Sequence, residues 1–158
     1  MAKKSAGLMM YTYKNSDLKI FLVHPGGPYF VKKDDGSWSI PKGLIEDNED
    51  TFDTAVREFE EETGLKPEGE FISLGEITLK SGKLVYAWAF EGEQENEFNF
   101  HSNLFEMEWP PSSGKREKFP EADKFGYFSV EEAKKKINSS QIPLIDNLVN
   151  YLSNKNQK

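Results

Sequence analysis

At 158 residues the chain is long enough for one domain, taken as 1–158, whose core can fold alone, and 13% aromatic residues supply bulky material for it. A net charge of −7 excludes broad binding to nucleic-acid backbones, so a polyphosphate partner would need a metal and local lysines to offset repulsion. The lack of cysteine excludes disulfides, thiolate metal sites and a cysteine nucleophile. No run reaches the ~20 apolar residues of a membrane span, and 6–10 behind Lys3 and Lys4 is too short for a signal peptide, so a cytoplasmic protein is expected.

In chain order, apolar runs predict strands over 6–13 and 18–24, joined by a turn at Asn15, Ser16 and Asp17. His24-Pro25-Gly26-Gly27-Pro28 reads as a loop, and Asp34-Asp35-Gly36 as a turn before Trp38. Helix-starting residues (Asp47, Asn48, Asp50, Thr51) precede a helix expected over 51–63, with Gly64 just past its end. Strands are expected over 71–80 and 83–91, joined at Ser81-Gly82. The polar stretch 94–102 reads as an irregular connection, 105–109 as a short strand, and Pro110-Pro111-Ser112-Ser113-Gly114 as irregular. A last strand over 124–128 leads to Ser129, an N-cap for a helix over 130–137 with Glu132 completing a capping box. A terminal helix is predicted over 142–152 with Pro143 in its first turn, and 153–158 is expected to fray. Mixed strands with one central and two C-terminal helical stretches imply an α/β sandwich. His24 and His101 are too isolated to form a zinc site and read as structural or surface residues.

The stretch 43–65, GLIEDNEDTFDTAVREFEEETGL, carries the chemistry. On its helix Phe52, Ala55, Val56 and Phe59 form an apolar stripe, while Glu58, Glu61 and Glu62, at i, i+3 and i+4, share an adjacent face. Three like charges there repel one another, so helix stability alone would not select them. A hard divalent cation would offset the repulsion, and oxygen-only ligands favour Mg²⁺ or Mn²⁺ over zinc. Arg57 can pair with Glu49 and steady the turn into the helix.

Gly43, Glu49, Arg57, Glu58, Glu61, Glu62 and Gly64 fit G-x5-E-x7-R-E-U-x-E-E-x-G-U, with Phe59 and Leu65 at the apolar (U) positions. Seven such matches arise by chance about once in ten million starting points. The stretch resembles the Nudix box. The resemblance implies a mixed central sheet between helices, an α/β/α sandwich, and hydrolysis of a nucleoside diphosphate linked to another group by water attack on phosphorus. It implies Glu58, Glu61 and Glu62 as metal ligands, with the backbone carbonyl at or next to Gly43 as a fourth. The general base is either a box glutamate or one from a later loop, for which Glu121, just before the last strand, is the candidate. Trp38-Ser39-Ile40-Pro41-Lys42-Gly43 resembles the W-x-x-P-K-G segment of diadenosine tetraphosphate and related diphosphoinositol or dinucleoside polyphosphate hydrolases. Leu44 replaces the histidine that usually follows there, and Ser81-Gly82-Lys83 replaces a tyrosine further on; the nearest tyrosine is Tyr86. Lys80 stands where ADP-ribose enzymes tend to carry proline.

Lys42 and Trp38 are candidate substrate contacts, with Lys115 and Arg116 (near Lys118) as phosphate-gripping cations. Tyr29, Phe30, Trp109 or Phe119 can stack a base. A small-molecule nucleotide is the expected partner, and both a monomer and a homodimer fit the sequence. A nucleotide or dinucleoside polyphosphate hydrolase, a nucleoside diphosphate sugar or ADP-ribose hydrolase, and a non-catalytic nucleotide-binding module are the competing readings. Intact box carboxylates disfavour the last.

Overall fold

A computed structural model describes residues 3–92 and 104–156. The connection expected over 94–102, with His101, lies outside the described residues. β1 (Lys4–Lys14) and β2 (Asp17–Pro25) form an antiparallel pair closed by Asn15 and Ser16, whose φ values of 52° and 71° suit the tight hairpin turn that matches strand twist. β4 (Phe71–Thr78) pairs antiparallel with β5 (Leu84–Glu91), which runs parallel to β1. β8 (Ala122–Ser129) pairs antiparallel with β2, so the sheet order is β4-β5-β1-β2-β8.

β1 and β2 pair only over 11–14 of β1, and its first half opens a wedge. The segment 39–44 fills that wedge: Ser39 bridges to Val23, the Leu8 amide donates to the Pro41 carbonyl at 3.2 Å, and β3 (Lys42–Leu44) pairs with Ser5, Ala6 and Gly7. Gly7 permits this approach, because a Cβ there would meet the Pro41 carbonyl at 2.6 Å.

The sheet is buried on both faces, as the continuous apolar run in β1 demands. On one face Ala6, Leu8, Met10, Phe21, Val23 and Phe90 receive Ala55 and Phe59 of α1 (Thr51–Thr63). Phe52 packs edge-on against Phe71 and Trp88 at 5.0 and 5.2 Å, so the apolar stripe is seated as expected. Each large side chain buried this way contributes ~1.5–3 kcal/mol. On the other face Met9, Tyr11, Ile20 and Leu22 receive Ala133 of α2 (Val130–Lys136) and Leu144, Ile145, Leu148 and Leu152 of α3 (Ile142–Asn156). The α/β/α sandwich with a mixed sheet is therefore the observed architecture.

Several boundaries differ from expectation. Ser129 does cap α2, accepting the Glu132 amide at 3.2 Å, but the helix stops at Lys136 because Ile137 is extended and bridges to Trp38. A short 3₁₀ turn (Ser139–Gln141) leads into α3, which continues through Asn156 rather than fraying from Ser153; buried Leu152 anchors its last turns. The expected strand over 105–109 is β6 (Leu104–Glu108), and it pairs with an unforeseen β7 (Arg116–Pro120) in a separate two-stranded ribbon.

Candidate active site

The helix α1 is held at both ends by local chemistry. Asp50 caps its start, accepting the Asp53 amide at 3.1 Å, and Gly64 ends it at φ 77°, donating to the Glu60 carbonyl at 2.8 Å. With Ala55 and Phe59 in the core, Glu58 and Glu62 turn toward β3. Gly43 lies directly against Glu58: a Cβ at this position would overlap the Glu58 carboxyl group. Only glycine lets that carboxylate rest on the β3 backbone.

Arg57 organises the acidic cluster. Its Nε and Nη2 donate to the two oxygens of Glu49 at 2.7 and 2.9 Å, a bidentate pair, while Nη1 reaches Glu58 at 3.1 Å and Glu61 at 3.2 Å. Glu49 also accepts the Glu46 amide at 3.2 Å. The hydrogen bonds from Arg57 hold the Glu49 carboxyl down to about 2, and Glu49 in turn raises the guanidinium above its ordinary value. The pairing foreseen between Arg57 and Glu49 is therefore present, and it ties the helix to the turn before it.

Glu62 is in a different state. Its side chain is buried, and Oε2 has no hydrogen-bond partner. Desolvation, then the charges of Glu121 and Glu58, push its carboxyl up to about 8, although Lys42 opposes the shift. Burial also raises Glu58, with Glu61 and Glu121 adding to it, and burial followed by the charge of Glu61 raises Glu121. Glu121 thus belongs to the same electrostatic neighbourhood as the three α1 glutamates. It is fixed there by the Gly26 amide, which donates to the Glu121 carbonyl at 2.9 Å, and by Gly26 itself, where a Cβ would collide with Pro120.

An orphaned buried carboxylate oxygen among further carboxylates, with oxygen the only donor type, fits a hard divalent cation. Among the described residues no three acidic or histidine side chains close a cage by themselves. That suits an ion which takes few protein carboxylates and completes its shell with water and phosphate oxygens.

Lys42 borders this cluster and is largely desolvated, which lowers its amine; the nearby charge of Lys83 adds to that and Glu62 opposes it. It also lines a cleft of about 490 Å³ whose other walls include Pro25, Phe30, Lys33, Leu79 and Gln141. Trp38 is not available there. Its ring is 5% exposed and packs between His24 and Phe128, and its Nε1 donates to Asp34 at 2.7 Å, so it supports the cleft from within the core rather than touching a ligand. Tyr29 stands 57% exposed against Trp109, ring centroids 5.5 Å apart, whereas its neighbour Phe30 faces the cleft. Lys115 and Arg116 lie in the β6–β7 ribbon, Arg116 paired with Glu106 at 3.1 Å; among the described residues no ion pair joins either to the α1 carboxylates.

The sequence reading missed Pro25, Lys33, Leu79 and Gln141, which come together only through the sheet and the α2–α3 junction. His24, read as structural or surface, is fully buried and bonded through both ring nitrogens, Nδ1 to Asp123 at 2.8 Å and Nε2 to the Lys33 carbonyl at 2.6 Å.

A NUDIX domain family model matches residues 3–148. The chain belongs to the NUDIX domain family. Its membership makes it a Nudix-type pyrophosphohydrolase acting on phosphorus-containing anhydrides, a family that generally uses a divalent metal. Among solved structures it is similar to C. elegans Ap4A hydrolase, at 17% identity and a TM-score of 0.69, covering 95% of this chain and 98% of that one. It is also similar to a Listeria monocytogenes Nudix hydrolase (17% identity, TM-score 0.67, 96% and 94% covered). The NUDIX domain of Shewanella oneidensis NrtR, complexed with ADP ribose, aligns at 14% identity and a TM-score of 0.66, with 96% and 89% covered. These likenesses carry the fold. No curated protein matches the sequence.

Proposed function

We propose that this Nudix protein is a Mg²⁺-dependent pyrophosphohydrolase, with Mn²⁺ as a substitute, that cleaves a nucleoside diphosphate linked to another moiety, nucleoside or dinucleoside polyphosphates first among them. One domain over 1–158 carries the activity. The supporting observation is the unpartnered, buried Oε2 of Glu62 beside Glu58, Glu61 and Glu121, an acidic group that an anionic phosphate could not approach unaided. A bound divalent cation supplies neutralisation of phosphate oxygens and a lowered pKa for the attacking water. Glu58, Glu61 and Glu62, with the carbonyl at Gly43, would hold it. Arg57 keeps Glu58 and Glu61 in place through its anchor on Glu49. Either a box glutamate or Glu121 takes the proton from water; burial, then the charge of Glu61, makes Glu121 a stronger base than an ordinary carboxylate. Lys42 offers a point charge to the phosphate chain.

A second reading, a nucleoside diphosphate sugar or ADP-ribose hydrolase, is favoured by the likeness to a NUDIX domain complexed with ADP ribose. A panel of dinucleoside polyphosphates, nucleoside triphosphates, ADP-ribose and nucleoside diphosphate sugars with Mg²⁺, read by chromatography of split products, separates the two. Tight nucleotide binding with no turnover of any member would sink both and leave a binding module.

A further inference from the structure

We propose that the cleft bounded by Lys42, Pro25, Phe30, Lys33, Leu79 and Gln141 is a pocket for one nucleoside arm of the substrate, whose phosphate chain crosses Lys42 toward the α1 carboxylates. The inference rests on the phosphohydrolase reading and adds which part of the ligand goes where.

The cleft touches the acidic cluster at two points. Lys42 adjoins Gly43 and lies close to Glu62 in charge terms, and Pro25 pairs with Ala122, next in sequence to Glu121. A ligand anchored at the carboxylates can therefore enter the cleft without leaving the protein surface. At about 490 Å³ the space lies within the ~300–1,000 Å³ of small-molecule sites.

The wall chemistry selects an anion that carries a flat ring. Asp34 and Asp35 line the cleft, yet each is engaged: Lys136 bonds Asp34 at 2.6 Å and Asp35 at 3.3 Å, and Lys135 reaches Asp35 at 3.7 Å. Lys33 and Lys42 have no ion-pair partner among the described residues, so the free charge facing the cleft is positive. Phe30 is 38% exposed, with the Lys33 ammonium over its ring 5.3 Å from the centroid, a cation on a flexible stem that can swing from the ring to a phosphate. A nucleobase can stack on that ring while the cation meets its phosphate.

Gln141 adds a directional element. The Ile40 amide donates to its Oε1 at 3.2 Å, which fixes the amide orientation, and its Nε2 gives one hydrogen to Ser39 Oγ at 3.0 Å. The second Nε2 hydrogen is left to meet an acceptor on a base edge. The walls are also set before any ligand arrives. The Gly36 amide donates to the Lys135 carbonyl, the Trp38 amide to the Lys136 carbonyl, and the Asn138 amide to the Trp38 carbonyl, at 3.1, 3.0 and 2.8 Å. His24 holds the Lys33 carbonyl. A preformed pocket loses little freedom on binding.

The test is equilibrium binding to the Mg²⁺-supplied protein, by calorimetry, of ATP and of inorganic tripolyphosphate, each with methylene bridges in place of its anhydride oxygens so that neither is hydrolysed. Wild type is expected to bind ATP at least about tenfold tighter than tripolyphosphate, the surplus being the stacked, bonded nucleoside. Phe30→Ala and Leu79→Trp, the second filling the cleft from its rim, each remove that surplus and leave tripolyphosphate binding in place. With Mg²⁺, Phe30→Ala raises KM for the best nucleotide of the panel about tenfold. Val31→Ala, on the same loop and 62% exposed, is the control and changes nothing. Circular dichroism verifies that each variant is folded. Equal binding of the two probes by wild type, or an undiminished ATP preference in both variants, overturns the pocket even if nucleotides are hydrolysed. An ATP preference lost in the variants, with no turnover of any nucleotide, keeps the pocket and removes the hydrolase reading instead.

Discussion

The two halves of the site are built in opposite ways. The acidic half comes from one contiguous stretch, in which Glu49, Arg57, Glu58, Glu61 and Glu62 meet because a helix brings i, i+3 and i+4 together. The cleft half is assembled from Pro25, Phe30, Lys33, Lys42, Leu79 and Gln141, which are distant in sequence and meet only when the wedge between β1 and β2 is filled and α3 docks. The acidic half is under strain, with a buried unpartnered carboxylate; in the cleft half the two aspartates are paired with lysines, and the cations Lys33 and Lys42 are left for a ligand. The difference teaches that reaction class is stored locally in this chain, while selectivity is a property of the tertiary fold.

The largest effect tests the acidic half. Glu61→Gln removes a charge from the proposed cation site without removing volume, and it is expected to lower kcat on the order of 10³-fold while leaving the thermal midpoint close to wild type. Near-normal turnover in that variant would mean that the metal assignment is wrong. Arg57→Lys comes next. Lysine keeps the charge but cannot reproduce the two parallel bonds to Glu49 and the reach to Glu58 and Glu61, so kcat is expected to fall about 10- to 100-fold. An unchanged kcat with lowered stability would reduce Arg57 to a structural tie.

Glu62 makes the strain measurable. Its folded-state carboxyl sits at about 8, above its ordinary value of 4.5, so folding favours the protonated form. The stability it permits is therefore full below pH 4.5 and is lost as pH rises from there to about 8, after which the loss is complete. Metal-free wild type should fall in thermal midpoint relative to Glu62→Gln across that window. Added Mg²⁺ should restore wild type at pH 8 and leave Glu62→Gln unmoved. Parallel pH curves for the two proteins would show that burial of Glu62 carries no such penalty.

The same contrast explains what could be read in advance. The helix 51–63, its caps and the Arg57–Glu49 pair depend on neighbours within one or two turns, and all were legible. β3 was not, because Lys42-Gly43-Leu44 has no strand pattern of its own and is extended only where β1 and β2 part. β7 was hidden by Arg116, Glu117 and Lys118, whose exposed side chains carry no apolar alternation. Trp38 looked like a ligand contact next to Lys42, but the alternation of the inserted segment turns it into the α2–α3 core while Lys42 lines the cleft. Gln141 gave no signal, since its partners Ser39 and Ile40 are a hundred residues away.

The smallest expected effect decides where the cleft half ends. Lys115 and Arg116 carry positive charge that a polyphosphate could use, yet they sit on an exposed ribbon, with Arg116 61% exposed and already paired with Glu106. An exposed pair of that kind contributes ~0–1 kcal/mol to stability. The double variant Lys115→Ala/Arg116→Ala should therefore leave the thermal midpoint nearly unchanged and shift KM for the best nucleotide less than about threefold at physiological salt, where exposed charges beyond ~8 Å are screened. A KM rise comparable to that of Phe30→Ala would move the phosphate chain over the ribbon. The cleft would then lose its claim to the nucleoside, because neither Lys115 nor Arg116 is among its lining residues.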